Sequence, residues 1–142
     1  MTIVSEYLNE KMYFNDFEEI KKHYNYNDAY DLDDLQDYLQ EQYNGTEYPK
    51  LTLTNNFEVE CWWRGNNFNS GYYDTIEEAK EVFEKILEEM EEIKVSFKEA
   101  NNKEKFINQL EENDEPVDYI QINKFDEFEN VEVQIEKEIK WK

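Results

Sequence analysis

The sequence predicts an α+β fold with a mainly antiparallel sheet, and three observations predict it. Apolar residues recur with helical spacing between Phe17 and Tyr43; the period changes to two from Lys50; and it returns to two after Val117, beyond a long helical stretch. Helices and strands are therefore grouped along the chain rather than alternating as βαβ units would. The length of 142 residues suits one acidic domain spanning residues 1–142, since two halves would each be too short to bury a comfortable core. The expected architecture is an N-terminal helix pair, then a sheet made of a three-stranded meander and a C-terminal hairpin, packed on one long acidic amphipathic helix.

The first helix follows from Asn15 or Asp16 as N-cap and from Phe17, Ile20 and Tyr24 on one face, with a turn expected from Ile3 to Tyr13. After the polar segment NYNDAY, Asp31 caps a second helix carrying Leu32, Leu35, Leu39 and Tyr43, and Gly45 stands where a left-handed residue would end it. Leu51 and Leu53 alternate with threonines, and Phe57, Val59, Cys61 and Trp63 alternate with Glu58, Glu60 and Trp62. Turns at Asn55-Asn56 and at Arg64 to Asn67 would join these runs and a third, through Tyr73, into the meander. Thr75 and Glu78 make a capping box that opens the strongest element. Ile76, Ala79, Phe83, Ile86, Met90, Ile93 and Phe97 form its stripe, placing a helix from Ile76 to about Phe97. Asn101-Asn102 interrupts the pattern, which resumes through Phe106, Ile107 and Leu110 until the breaker run ending at Pro116. Val117 to Ile122 and then Val131, Val133, Ile135, Ile139 and Trp141, on one parity, predict a hairpin around KFDEFEN.

The 36 acidic and 15 basic residues give a formal net charge of -21, which argues against direct binding to nucleic acid or to an anionic membrane. Such a charge can signal disorder, yet 16% of the residues are aromatic, enough for a packed core. No stretch reaches the roughly 18 apolar residues that a membrane-spanning helix needs. A lone cysteine forms no intrachain disulfide, and the opening residues lack the basic and apolar regions of a signal peptide, so a cytoplasmic location is expected.

Catalytic chemistry is poorly represented. The one Cys-His combination open to the chain is Cys61 with His23, and Cys61 shares its parity with core positions while His23 sits among lysines at a helix end. One Cys and one His cannot build a tetrahedral zinc site, and the Asp28 to Asp37 segment lacks the Gly and Glu of a calcium loop in register. No metal and no cofactor are expected. With 36 acids, some carboxylate pair is always close, so an acid-base enzyme remains an alternative that abundance alone does not promote.

Two surface features carry more information. Glu77, Glu81, Glu84, Glu88 and Glu91 step along the outer face of the long helix, with Glu78, Glu89 and Glu92 beside them. At about 1.5 Å per residue, this row sets a carboxylate roughly every 5 Å, comparable with phosphates along a nucleic-acid strand. The second feature is a surplus of aromatics among carboxylates: Tyr26 and Tyr30 near Asp31 and Asp34, and Trp62, which shares the parity of Glu58 and Glu60. Tyr and Trp are residues that anchor protein interfaces.

In size, acidity and lack of catalytic motifs the chain resembles the small acidic inhibitors that phages and mobile elements encode against host defence, the anti-CRISPR and antirestriction proteins. The resemblance matches no diagnostic motif and carries no site residues. It implies an inhibitor, not an enzyme, that mimics nucleic-acid charge in the groove of a nuclease such as a Cas effector. The expected partner is a basic nucleic-acid-binding protein, and the expected contacts are Glu77, Glu81, Glu84, Glu88, Glu91, Asp31, Asp34, Tyr26, Tyr30 and Trp62. An immunity protein that neutralises a basic nuclease toxin is the alternative of the same kind.

Overall fold

The computed structural model describes residues 1–141, and over them the chain is α+β, with helices and antiparallel sheets. The first surprise is at the N-terminus. Strands β1 (Thr2–Tyr7) and β2 (Glu10–Phe14) form a hairpin where a turn was expected, so the helix pair is preceded by sheet. The two-residue loop Leu8-Asn9 has both residues at positive φ (52° and 65°), the geometry that matches strand twist. Helix α1 (Phe17–His23) follows, capped by Asp16, whose carboxylate accepts the Glu19 N–H. Helix α2 (Leu32–Tyr43) is capped by Asp31 and ends on Asn44, which takes the left-handed conformation expected of Gly45.

The expected meander is divided between two sheets. Strand β3 (Lys50–Thr54) pairs with β1, giving a sheet of order β2-β1-β3, whereas β4 (Phe57–Trp63) and β5 (Asn66–Tyr73) belong to a second sheet. Alternation identifies a strand but not its neighbour, and the neighbour of β3 is β1, not β4. Asn55, at φ 52°, turns the chain between the sheets, and the Asn56 carbonyl accepts the Phe125 N–H at 2.8 Å. The first sheet packs on α1 and α2 through Ile3, Phe14, Ile20, Leu35 and Leu39.

Helix α3 (Ile76–Glu99) opens on the expected Thr75 cap, and α4 (Lys103–Asn113) on Asn102. Strands β6 (Tyr119–Phe125) and β7 (Val131–Glu138) form the expected hairpin and complete the second sheet in the order β5-β4-β6-β7. Val59, Cys61, Ile120 and Ile122 meet Ala79, Phe83 and Met90 of α3 in the second core. The single parity expected for β7 does not hold. The register shifts between Ile122 and Asn123, whose partners are Ile135 and Val133. A bulge at Gln134 therefore leaves Val131 and Val133 exposed while Ile135 faces the core.

Trp63, expected in the core, is only half-buried, like Trp62. Parity does place the two on opposite faces. Trp63 is the last residue of β4, though, and it packs edge-to-face on Trp141 (5.6 Å between ring centroids) rather than under α3. No helix of the described residues is long and apolar enough to cross a membrane.

Candidate functional site

The apolar stripe of α3 is turned to the sheet, which forces the rest of its circumference outward. Glu77, Glu81, Glu84, Glu88 and Glu91 are all exposed, as are Glu78, Glu89 and Glu92. Of the eight, Glu91 alone has an ion-pair partner among the described residues, Lys94 at 3.7 Å. The row is thus an exposed anionic edge, relieved before Lys94 only by Lys80 and Lys85, neither of which forms an ion pair with it among the described residues.

Asp31 and Asp34 occupy a different surface and have a local task. Asp31 accepts the Asp34 N–H at 2.8 Å, and Asp34 accepts the Tyr30 N–H at 2.9 Å, so both carboxylates hold the start of α2. Tyr26 stacks flat on Tyr38, with centroids 4.0 Å apart. The charge of Asp34, followed by partial burial and Asp28, raises the Tyr26 phenol above its ordinary value. Tyr30 projects freely, 81% exposed. The glutamate row and this aspartate-tyrosine surface therefore lie on separate elements and do not form one site.

Trp62 leads to a surface that the sequence reading did not assemble. On the sheet face turned away from α3, β4 presents Glu58, Glu60 and Trp62, whose register partners on β6 are Asn123, Gln121 and Tyr119. Tyr72 and Asn67 flank them on β5, and Glu136 and Glu138 on β7. Amide groups lock the carboxylates. Glu58 accepts from Asn69 at 2.7 Å and Asn123 at 3.0 Å, and Glu60 accepts from Asn67 and Asn123, both at 2.9 Å. Trp62 packs edge-to-face on Tyr119 at 5.2 Å. The Tyr119 hydroxyl donates to Glu136, which raises its phenol above the ordinary value; burial, then the charge and hydrogen bond of Glu58, raise Tyr72. None of these face positions is Lys or Arg. Strand parity was the available signal, but finding the face required knowing that β6 lies beside β4.

Cys61 is buried, and burial pushes its thiol up, away from the reactive thiolate. His23 lies exposed in the last turn of α1, against the rings of Phe14 and Tyr24. Among the described residues no three His, Cys, Asp or Glu side chains are grouped to hold a metal ion. Comparison with protein-family models, with curated proteins and with solved structures finds no match to this chain.

Proposed function

We propose that this protein is a non-enzymatic, cytoplasmic inhibitor of the anti-CRISPR kind, which occupies the nucleic-acid groove of a basic nuclease such as a Cas effector. The observation that carries the reading is the α3 row, where Glu77, Glu81, Glu84 and Glu88 are exposed without an ion-pair partner among the described residues. Like charges at i, i+4 cost a helix roughly 0.2–0.5 kcal/mol per pair, so a row of five glutamates relieved only by Lys80 and Lys85 before Lys94 is a cost without benefit to folding. Its benefit lies in a partner. Carboxylates at about 5 Å intervals meet a lysine- and arginine-lined groove where phosphates otherwise sit. On the other side of the second sheet, Trp62 and the exposed Tyr72, Asn67, Glu136 and Glu138 around it offer contacts to a partner that wraps the domain.

The test is capture of the partner from the native host on the immobilised protein at low salt, followed by elution with duplex DNA. DNA should displace the captured nuclease, and the same nuclease should be inhibited in a cleavage assay. A Glu81→Lys, Glu84→Lys, Glu88→Lys variant should fold, capture nothing and inhibit nothing. Capture by the folded variant equal to that of the unmodified protein would overturn the reading.

A further inference from the structure

A cleft of about 650 Å3 opens at the end of β4, between α3, α4 and the segment that follows β7. That is a volume typical of small-molecule sites, which run from about 300 to 1,000 Å3. Trp63, Phe97, Ile107, Ile139 and Trp141 give it apolar walls. The walls are fixed: Trp141 donates its indole N–H to the Val117 carbonyl at 3.0 Å and packs edge-to-face on Phe97, 5.8 Å between centroids. The acidic helix row takes no part in it.

One atom here lacks what every comparable atom has. The indole Nε1 of Trp63 is buried with no hydrogen-bond acceptor, and it is the one such side-chain atom among the described residues. Buried donors are almost always paired, because an unpaired one forfeits its bond to water without replacement. An acceptor brought by a ligand would restore the pair. The N–H is closed to water, so a lining side chain has to give way as the ligand seats. Arg64, the residue after Trp63, is suited to this, since it lines the cleft with its guanidinium 5.2 Å from the Trp63 ring and its side chain mostly in solvent, where the ion pair with Glu111 at 3.3 Å is weak enough to yield.

Charge selects the occupant further. A cationic ligand finds the Trp63 and Phe97 rings already carrying Arg64 and Lys103, each 5.2 Å from its ring. An anionic one meets the field of a chain with net charge -21, since at the cleft itself Asp118 and Glu138 offset Arg64 and Lys140. An uncharged planar molecule meets no charge repulsion, and its faces suit the Trp141 ring, over which no cation lies among the described residues.

We propose that this cleft binds a small, uncharged, planar heteroaromatic molecule, and that Trp63 Nε1 donates a hydrogen bond to an acceptor on its edge. This inference is independent of the inhibitor reading. Carbostyril, a fused bicyclic lactam with a carbonyl acceptor, is the probe. Indole, of similar size but without that acceptor, and quinaldate, a related anion, are the comparators. Proton–nitrogen correlation spectra of the full chain resolve the three tryptophan indole signals, assigned by single Trp→Phe variants. Carbostyril should move the Trp63 signal downfield with saturation and leave Trp62 in place, and both comparators should bind about tenfold more weakly. Trp63→Phe, which keeps a ring but loses the donor, should bring carbostyril down to the affinity of indole, read on the Trp141 signal. Equal affinity for carbostyril and indole in the unmodified protein, or no shift of the Trp63 signal up to the solubility of carbostyril, overturns the proposal without reference to any variant.

Discussion

At the scale of single residues, the tyrosines on the sheet face turned away from α3 and the one stacked on α2 make the sharpest pH prediction. The phenols of Tyr119, Tyr72 and Tyr26 are raised, by the hydrogen bond to Glu136, by burial beside Glu58 and by the charge of Asp34, respectively. A phenol raised in the folded state favours the protonated form there. Its contribution is complete below the unfolded value of about 10 and is lost as pH rises through the folded value. Phenolate absorbance should therefore develop later in the native protein than in urea, and thermal stability should fall over that alkaline window. Phenolate formation at equal pH in both states would contradict this. Asp31 gives a second residue-scale prediction: Asp31→Ala should cost about 1 kcal/mol in denaturant unfolding, because the Asp34 N–H loses its cap. That cap was legible in the sequence, since capping is a local matter of one side chain and one amide. The unpaired Trp63 N–H was not legible, because it depends on the absence of an acceptor among residues distant in sequence.

At the scale of elements, α3 was readable almost to its ends because a stripe of three- and four-residue steps over six turns admits one secondary structure. The β1-β2 hairpin was hidden by its turn, where Leu8 rather than Gly takes positive φ beside Asn9. The bulge in the β4-β5 ladder, between Glu58 and Glu60, is equally irregular and rests on Gly71. Gly71 has φ 130°, and a Cβ there would stand 2.3 Å from the Tyr73 hydroxyl oxygen. Gly71→Ala should thus destabilise by about 1–3 kcal/mol, from backbone strain before any loss of packing. Gly65→Ala should cost less, since at φ 84° it meets no neighbour within 4 Å. A chemical-denaturation series of the two variants checks the order. For α3, reversal of Glu81, Glu84 and Glu88 to Lys should leave the fold intact and the melting temperature little changed, because these side chains lie off the stripe and the repulsion lost among glutamates is offset by new lysines beside Lys80 and Lys85.

At the scale of the whole molecule, two clusters of buried residues lie one on each sheet, and contacts between them join distant parts of the chain. Phe17 meets Phe128 at 5.3 Å, the Leu32 N–H donates to Glu127 at 3.4 Å, and the Asn55 N–H donates to Asp74 at 2.7 Å. The three tryptophans lie in or beside the second sheet, so their fluorescence reports that layer, while circular dichroism reports the whole chain. Leu35→Ala, in the other core, should lower both midpoints together; a fluorescence midpoint that stays put would show two units that unfold independently. The charge of -21 makes a further prediction: added salt should raise the melting temperature while weakening partner capture, since screening over about 10 Å at 0.1 M relieves repulsion and attraction alike. Bare duplex DNA should not bind at any salt concentration, as a mobility-shift assay would show. The sequence by itself determined the fold class, the long helix with its glutamate row and the positions of most turns, because each is set by composition or by spacing over a few neighbouring residues. Tertiary structure alone decided that β3 leaves the meander for β1, that Glu58, Glu60, Asn123 and Trp62 share the sheet face turned away from α3, with Glu58 and Asn123 buried there, and that Trp63 and Trp141 wall a cleft. These arise from pairings between segments far apart in the chain, where parity allows several partners and only the packing of both cores together selects one.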